Sequence, residues 1–452
     1  MKLTFLGGAG TVTGSKALLE SDYTKILIDC GLFQGLKELR RKNWDNLPIN
    51  LDELDLIILT HAHLDHSGYL PILVKNGYKG KVYCTKATRD LTEIILLDSG
   101  KIQEEDARRA NKYSYTSHDP AIPLYDIEDA QSAITRLKTF DLNTWIKIND
   151  DIKFQFINSG HILGSAFVVL NVKGKIIVFS GDIGRKEPIL LPKYEYIEKA
   201  DYVVIESTYG NRLHKNRIIT EELLRYIKLT YSKGGILVIP SFSVERAQEI
   251  IYFLSVLKRE GKLPKIPIYL DSPMGVNATE VYLKYKNAHT LTDEDIKSML
   301  STVQLISGVN TSKSIVNDEK PKIVLAGSGM ITGGRVLHYL DKLISDEKNS
   351  ILIVGYQAEG TRGRSLLSGD SELKFFGKYY KIKAEVFKIN EFSGHADQSE
   401  LLDWLQHFNE PPKLTLINHG EPHQSQALKV KIKTDLKWKC TVAKMNNEYY
   451  LD

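Results

Sequence analysis

Leu56-Ile57-Ile58-Leu59 runs directly into Thr60-His61-Ala62-His63-Leu64-Asp65-His66-Ser67-Gly68, and this junction decides how the chain is read. The apolar run is a buried strand, and Tyr69-Leu70-Pro71-Ile72-Leu73 beyond it opens a helix. In extended backbone alternate side chains point the same way, so His61 and His63 converge on one cation. Asp65 and His66 come after the chain bends and face a second cation close by. Imidazole nitrogen and carboxylate oxygen suit zinc and related divalent metals. So many ligand types in one short loop are hard to explain by packing, because a buried unpaired charge is costly.

The pattern of apolar strand followed by ligand-type residue recurs along the chain. Ser159-Gly160-His161 ends one strand and supplies a third imidazole for the first cation. Phe179-Ser180-Gly181-Asp182 ends another, with Asp182 placed to bridge two cations through its two oxygens. Ile28-Asp29-Cys30 repeats the arrangement, and Asp29 is suited to orient a ligand imidazole through its second nitrogen. Glu206 follows Val203-Val204-Ile205; His395 and His419 follow in Phe392-Ser393-Gly394-His395 and Ile417-Asn418-His419. His118, His214, His289 and His407 sit among polar or helical residues and read as solvated or local. Gly8-Ala9-Gly10-Thr11-Val12-Thr13-Gly14 approaches a nucleotide-binding turn, but its last spacing is wrong and a strand, not a helix, follows. It reads as a tight loop between two strands.

With 452 residues the chain has room for two or three domains. Its 42% apolar and 26% charged residues are ordinary for a soluble globular protein. Cys30, Cys84 and Cys440 are far apart and form no CxxC pair, which argues against a disulfide framework and for a reducing compartment. No leader-like apolar segment opens the sequence and none is long enough to span a membrane, so a cytoplasmic location is expected. A net charge of +4 alone does not identify a partner. Residues 207–385, however, hold 26 Lys/Arg against 19 Asp/Glu, a bias that suits a polyanionic substrate.

Short strands fill the first half: Lys2–Leu6, Ala17–Glu20, Ile26–Ile28, Leu56–Leu59, Lys81–Cys84, Lys153–Ile157, Ala166–Val172 and Lys175–Phe179. Residues 88–139 show helical spacing instead. From 207 to 385 helical segments alternate with buried strands such as Gly235–Pro240 and Lys322–Ala326, which predicts βαβ units and a largely parallel sheet. After Lys383 short strands return at Ala384–Ile389 and Leu414–Ile417, as expected of a domain interrupted by an insertion.

Asp29, the His61-Ala62-His63-Leu64-Asp65-His66 signature, His161 and Asp182 together resemble the metallo-β-lactamase superfamily. Glu206, His395 and His419 resemble the three extra motifs of its β-CASP nuclease branch. So do Pro240-Ser241-Phe242-Ser243-Val244-Glu245-Arg246, Asp271-Ser272-Pro273-Met274 and Gly327-Ser328-Gly329-Met330 in the central region. The resemblance implies an α/β fold, an αββα sandwich over 1–206 and 386–452, with a β-CASP domain inserted at 207–385 on a mainly parallel sheet. It implies two zinc ions, one held by His61, His63, His161 and Asp182, the other by Asp65, His66, His419 and the shared Asp182. Asp65 also counts among the catalytic groups, and His395 paired with Glu206 is the implied proton donor.

The resemblance further implies a ribonuclease working through a hydroxide activated by two metals, since RNA-processing members carry a histidine like His419. Single-stranded RNA is the expected partner, with no membrane and a homodimer as the candidate assembly. Ser241, Arg246, Ser328, Gly329, Arg335 and Ser393 are candidate phosphate contacts, and the insertion is expected to wall a cleft over the zinc ions. Endonuclease action is favoured because the added C-terminal region of ribonuclease J members is not seen. A 5′-to-3′ exoribonuclease, a thioester or lactone hydrolase with the same two-zinc site, and a non-catalytic partner are the rival readings.

Overall fold

The computed structural model describes residues 1–113, 119–214, 218–389 and 392–452, so His118 lies outside the described residues. Contacts divide the chain into two compact units, residues 1–213 with 395–452 and residues 214–394.

The first unit is built on two seven-stranded sheets. One runs in the order Glu448–Tyr450, Lys2–Gly7, Lys16–Glu20, Lys25–Ile28, Leu56–Ile58, Lys81–Thr85, Leu137–Phe140. The other runs Cys440–Val442, Leu414–Ile417, Tyr202–Ile205, Lys175–Phe179, Ala166–Val172, Ile152–Asn158, Ile146–Lys147. Period-two alternation decides how they pack. Val168 and Leu170 face inward, joining Phe154, Phe156 and Phe179 against Leu3, Phe5, Leu19 and Ile58 of the facing sheet. Phe167 and Val169, one residue out of step, face outward under Trp404, Leu401 and Leu428. Those three lie on the helices Gln398–Gln406 and Pro422–Lys431. The opposite outer face is covered by Leu70, Leu73, Leu96 and Ala130 of three more helices. Helix, sheet, sheet, helix is the result, as expected. Burying each fully enclosed phenylalanine contributes about 2–3 kcal/mol.

The second unit carries a six-stranded, wholly parallel sheet. Its order is Gln304–Ile306, Ile268–Asp271, Ile323–Ala326, Leu237–Pro240, Ser350–Val354, Glu385–Ile389. Apolar clusters cover both faces, one centred on Leu237, Ile250 and Leu254, the other on Val324, Val336 and Leu340. Burial on both sides explains why these strands read as continuous apolar runs.

Two elements differ from the sequence reading. Leu137–Phe140, inside the stretch of helical spacing, is a half-exposed edge strand. The helical stretch itself is two helices, Lys86–Tyr113 and Ile127–Ile134, the second started by the Asp126/Asp129 capping box. Glu385–Ile389, expected with the strands of the first unit, pairs with Ser350–Val354 and closes the parallel sheet of the second. Its apolar alternation fits either sheet, so only pairing decides.

Lys16 is an anomaly within this frame. Its side chain is fully buried, with Nζ 4.5 Å from the Phe33 ring centre, 4.7 Å from that of Tyr69 and 3.2 Å from the Gly14 carbonyl. Burial pushes the ammonium down to about 8, against the opposing influence of Cys30. A lysine whose folded pKa lies below its unfolded value carries a penalty while both states are protonated. It sheds that penalty as pH climbs from about 8 towards 10.5. Unfolding free energies of wild type and Lys16→Met should therefore diverge in favour of wild type by about 2 kcal/mol between pH 7 and pH 10. A difference independent of pH would show that the ammonium is not desolvated.

Candidate metal centre

Parallel strands end on the same edge of their sheet, and this brings distant ligands together. Lys25–Ile28 and Leu56–Ile58 run parallel in one sheet, as do Lys175–Phe179, Tyr202–Ile205 and Leu414–Ile417 in the other. Their carboxyl ends deliver Asp29, His61, Asp182, Glu206 and His419. The loop after Ile152–Asn158 adds His161. Backbone hydrogen bonds tie these tips into one framework: Asp29 N donates to Ile58 O (2.9 Å), Ser207 N to His419 O (3.0 Å) and Asn418 N to Ile205 O (2.8 Å).

Asp182 lies at the centre, almost wholly buried. Its Oδ2 is 3.4 Å from Nε2 of both His61 and His161, while Oδ1 is 3.3 Å from His66 Nε2 and 3.5 Å from His419 Nε2. His63 Nδ1 sits 3.1 Å from Nε2 of both His61 and His161. Asp65 Oδ2 approaches His419 Nε2 at 3.8 Å and His66 Nε2 at 4.0 Å. The side chains thus fall into two ligand clusters, His61/His63/His161/Asp182 and Asp65/His66/His419, with the second oxygen of Asp182 turned to the latter.

The rings are held from behind. His66 Nδ1 meets Asp29 Oδ2 at 2.7 Å, and Asp29 in turn accepts from Thr60 N (2.8 Å) and Thr60 Oγ1 (2.9 Å). Thr60 Oγ1 also lies 3.0 Å from His61 Nδ1. Ser15 Oγ lies 2.6 Å from His419 Nδ1, and the Gly8 carbonyl accepts from His419 N at 3.0 Å. The glycine-rich loop is therefore a cradle for His419. Gly181 has φ +50°, and a Cβ there would stand 2.6 Å from Thr60 Cβ, so only glycine lets the Asp182 turn pass over Thr60.

Electrostatics follow from crowding imidazoles and carboxylates out of water. Burial drives His61 well below its usual pKa, with the charge of His66 adding to the effect. Burial likewise lowers His419 to about 3. Both rings are neutral and offer lone pairs. Burial would lower His66 too, but the charges of Asp182 and Asp29 hold it well above its usual value. Burial would raise Asp182, yet His66, His419 and His61 hold it far below the carboxylate range. Asp65 is pushed up to about 6 by burial and by the charge of Asp182.

These residues fit divalent cations. Among the described residues, buried His66 Nε2 and Asp182 Oδ1 lie 3.3 Å apart and make no well-formed hydrogen bond, a costly state that cation ligation would relieve. The donor set, neutral imidazole and carboxylate, is that of zinc-type sites.

His395 and Glu206 form a neighbouring pair. Glu206 Oε1 lies 3.2 Å from His395 Nδ1 and accepts from Ile183 N at 2.7 Å, while Oε2 accepts from Thr208 N at 3.2 Å. Burial would lower His395, but Glu206, its hydrogen bond, Asp182 and Asp65 hold it above the usual imidazole value. Nε2 is thereby set up to carry a proton.

In the second unit Ser241 N bonds to Ala326 O at 3.0 Å, which sets Ser241 beside the loop that carries Ser328 and Gly329. A Cβ on Gly329 would strike Phe242 at 2.5 Å, a packing reason for that glycine. Arg246 pairs with Glu249, and Arg335 with the buried Asp271, so both guanidiniums have carboxylate partners inside this unit. Ser393 is buried. His289, read as solvated or local, is local but buried, stacked 5.8 Å from the Tyr282 ring; His407 is exposed and stacked on Tyr196. Ser15 and Thr60 were not anticipated, although Thr60 stands directly beside His61.

Residues 18–206 match the metallo-beta-lactamase superfamily domain, 247–366 the Beta-Casp domain and 379–443 the Zn-dependent metallo-hydrolase RNA specificity domain. The chain is 38% identical over 439 residues to Ribonuclease TTHA0252 of Thermus thermophilus, covering 95% of each chain. It is 34% identical to an RNase J-like protein of Methanocaldococcus jannaschii, covering 96% of each. It is 33% identical to Transcription termination factor FttA of the same organism, covering 93% of this chain and 67% of that one.

Ser15→Ala removes the hydroxyl that fixes the His419 ring without touching a ligand. Titration of the stripped protein with a divalent cation should show affinity lowered by about tenfold or more, with the unfolding midpoint little changed. Unaltered affinity would mean that the contact does not orient the ring.

Proposed function

This chain belongs to the metallo-β-lactamase superfamily, in its Beta-Casp branch, and on that footing we propose that it is a two-zinc ribonuclease cutting within single-stranded RNA. The observation that carries the reading is the division of Asp182, one oxygen towards His61 and His161, the other towards His66 and His419. His61, His63, His161 and Asp182 would hold one ion, and Asp65, His66, His419 and Asp182 the other. Cations bound there supply positive charge to a phosphodiester and lower the pKa of water towards neutrality.

The remaining chemistry belongs to the protein. Water gives up a proton to solvent as a bond forms from its oxygen to phosphorus, and the bond from phosphorus to the 3′ oxygen breaks. His395 Nε2 delivers a proton to that departing oxygen, with Glu206 gripping Nδ1 to fix ring and tautomer. Products are a 5′-phosphate and a 3′-hydroxyl. Asp29, Thr60 and Ser15 hold the ligand rings against rotation.

RNA as substrate is supported by the RNA specificity domain and by relatives named as ribonucleases. Cutting inside the strand, rather than from a 5′ end, is supported by the carboxylate partners of Arg246 and Arg335, since an exonuclease must hold a terminal phosphate. Ser241, Ser328 and Gly329 stay the candidate contacts for an internal phosphate, with the backbone N–H groups of Ser241 and Ser328 already donating to Ala326 O and Gly333 O. Three buried free cysteines support a cytoplasmic location, and among the described residues no helix is long and apolar enough to cross a membrane.

Closed circular RNA tests chemistry and mode together. Wild type should linearise the circle, and His395→Ala should slow this by a factor on the order of 10² to 10⁴ while metal content stays at the wild-type level. Turnover unaffected by the substitution would remove His395 from the chemistry. A circle left intact by enzyme that degrades linear RNA would mean attack from an end.

A further inference from the structure

Beyond Asp29 the chain is fastened to the ligand loop. Cys30 N donates to His66 O at 2.7 Å and Leu32 N to Leu64 O at 2.9 Å, while a Cβ on Gly31 would meet the Asp65 carbonyl oxygen at 1.6 Å. Phe33 is then bonded both ways to the buried Asn43, N to Oδ1 at 2.9 Å and O from Nδ2 at 2.8 Å. Tyr69 Oη donates to Asp45 O at 2.8 Å. The segment held between these anchors is the short helix Lys37–Arg41 and the turn Lys42–Trp44.

Lys37, Arg40 and Arg41 stand at i, i+3 and i+4, one exposed face of that helix. None of the three pairs with a carboxylate among the described residues. Lys25, Lys75, Lys147 and Lys173 of the same unit each do. Trp44, next in the chain, is 56% exposed although its neighbours on both sides are fixed. Like charges on one helix face repel, and an exposed indole forgoes burial. A phosphate backbone lying along the helix offsets the first, and a base stacked on the indole offsets the second.

We propose that Lys37, Arg40, Arg41 and Trp44 form a platform for the single-stranded RNA running past the metal centre, the cations tracking its phosphates and the indole stacking on a base. The proposal rests on the ribonuclease reading and adds the surface that grips the strand away from the scissile bond. Wild type is compared with Lys37→Gln/Arg40→Gln/Arg41→Gln on a single-stranded RNA oligomer and on bis(p-nitrophenyl) phosphate, too small to reach the platform. Lys147→Gln/Lys173→Gln/Lys193→Gln controls for net charge. The platform variant should raise KM for RNA about tenfold or more at low salt and leave kcat, metal content and diester hydrolysis unchanged. Its logarithmic salt dependence should flatten by about two units, at about 0.7 per lost phosphate contact. Trp44→Ala should also raise KM, and Trp44→Phe should restore it.

A wild-type KM and salt slope in the platform variant would overturn the proposal, whether or not the variant loses affinity for poly-glutamate. An equal loss in the control variant would overturn it too. Wild type that hydrolyses the small diester but never RNA would overturn the ribonuclease reading itself, and the platform with it.

Discussion

A carboxylate sealed from water between four imidazoles is the constraint around which the first unit is organised. An isolated buried charge costs several kcal/mol, so Asp182 is tolerable only with positive charge on both of its oxygens. Without metal, protonated His66 supplies part of it. On the proposed reading divalent cations, one per oxygen, would complete it. Each supporting feature follows from that demand. Parallel strands bring five carboxyl ends to one edge, and Gly181 lets the Asp182 turn pass over Thr60. Thr60 and Asp29 then stop the rings turning away.

The same logic separates the two acid–base assignments. His61 and His419 are buried where nearby positive charge adds to desolvation, so they stay neutral and suit ligation. His395 is less enclosed, with 17% of its side chain exposed, and Glu206 holds its Nδ1 directly and raises its pKa above the usual imidazole value. On the proposed reading one cluster contains ligands and a proton donor of the same residue type: hydroxyls of Thr60 and Ser15 stand behind His61 and His419, whereas the Glu206 carboxylate stands behind His395.

Much of the candidate site was legible because residues at strand ends leave a local signature: an apolar run, then His, Asp or Glu. That holds for His61, Asp182, Glu206 and His419 alike. Ser15 was not legible, because its partner lies 404 residues away and a serine after a glycine loop carries no signal of its own. Leu137–Phe140 escaped because a half-exposed edge strand has neither an apolar run nor strict alternation. Glu385–Ile389 was recognised as a strand and placed with the wrong sheet, since pairing is a tertiary choice. Arg246 and Arg335 looked like phosphate ligands in sequence, and only the fold shows Glu249 and Asp271 beside them.

Charge shows a similar contrast. The sequence concentrates net positive charge in the insertion, yet Lys37, Arg40 and Arg41 of the first unit, which pair with no carboxylate among the described residues, share one face of a small helix bonded through its anchors to the ligand loop. Net charge locates a domain; pairing locates a surface.

Anomalous scattering at the zinc edge from crystals grown with zinc tests the central claim most directly. Two peaks are predicted, one within bonding distance of Asp182 Oδ2, the other of Oδ1. A single peak, or two that do not share Asp182, would contradict the account.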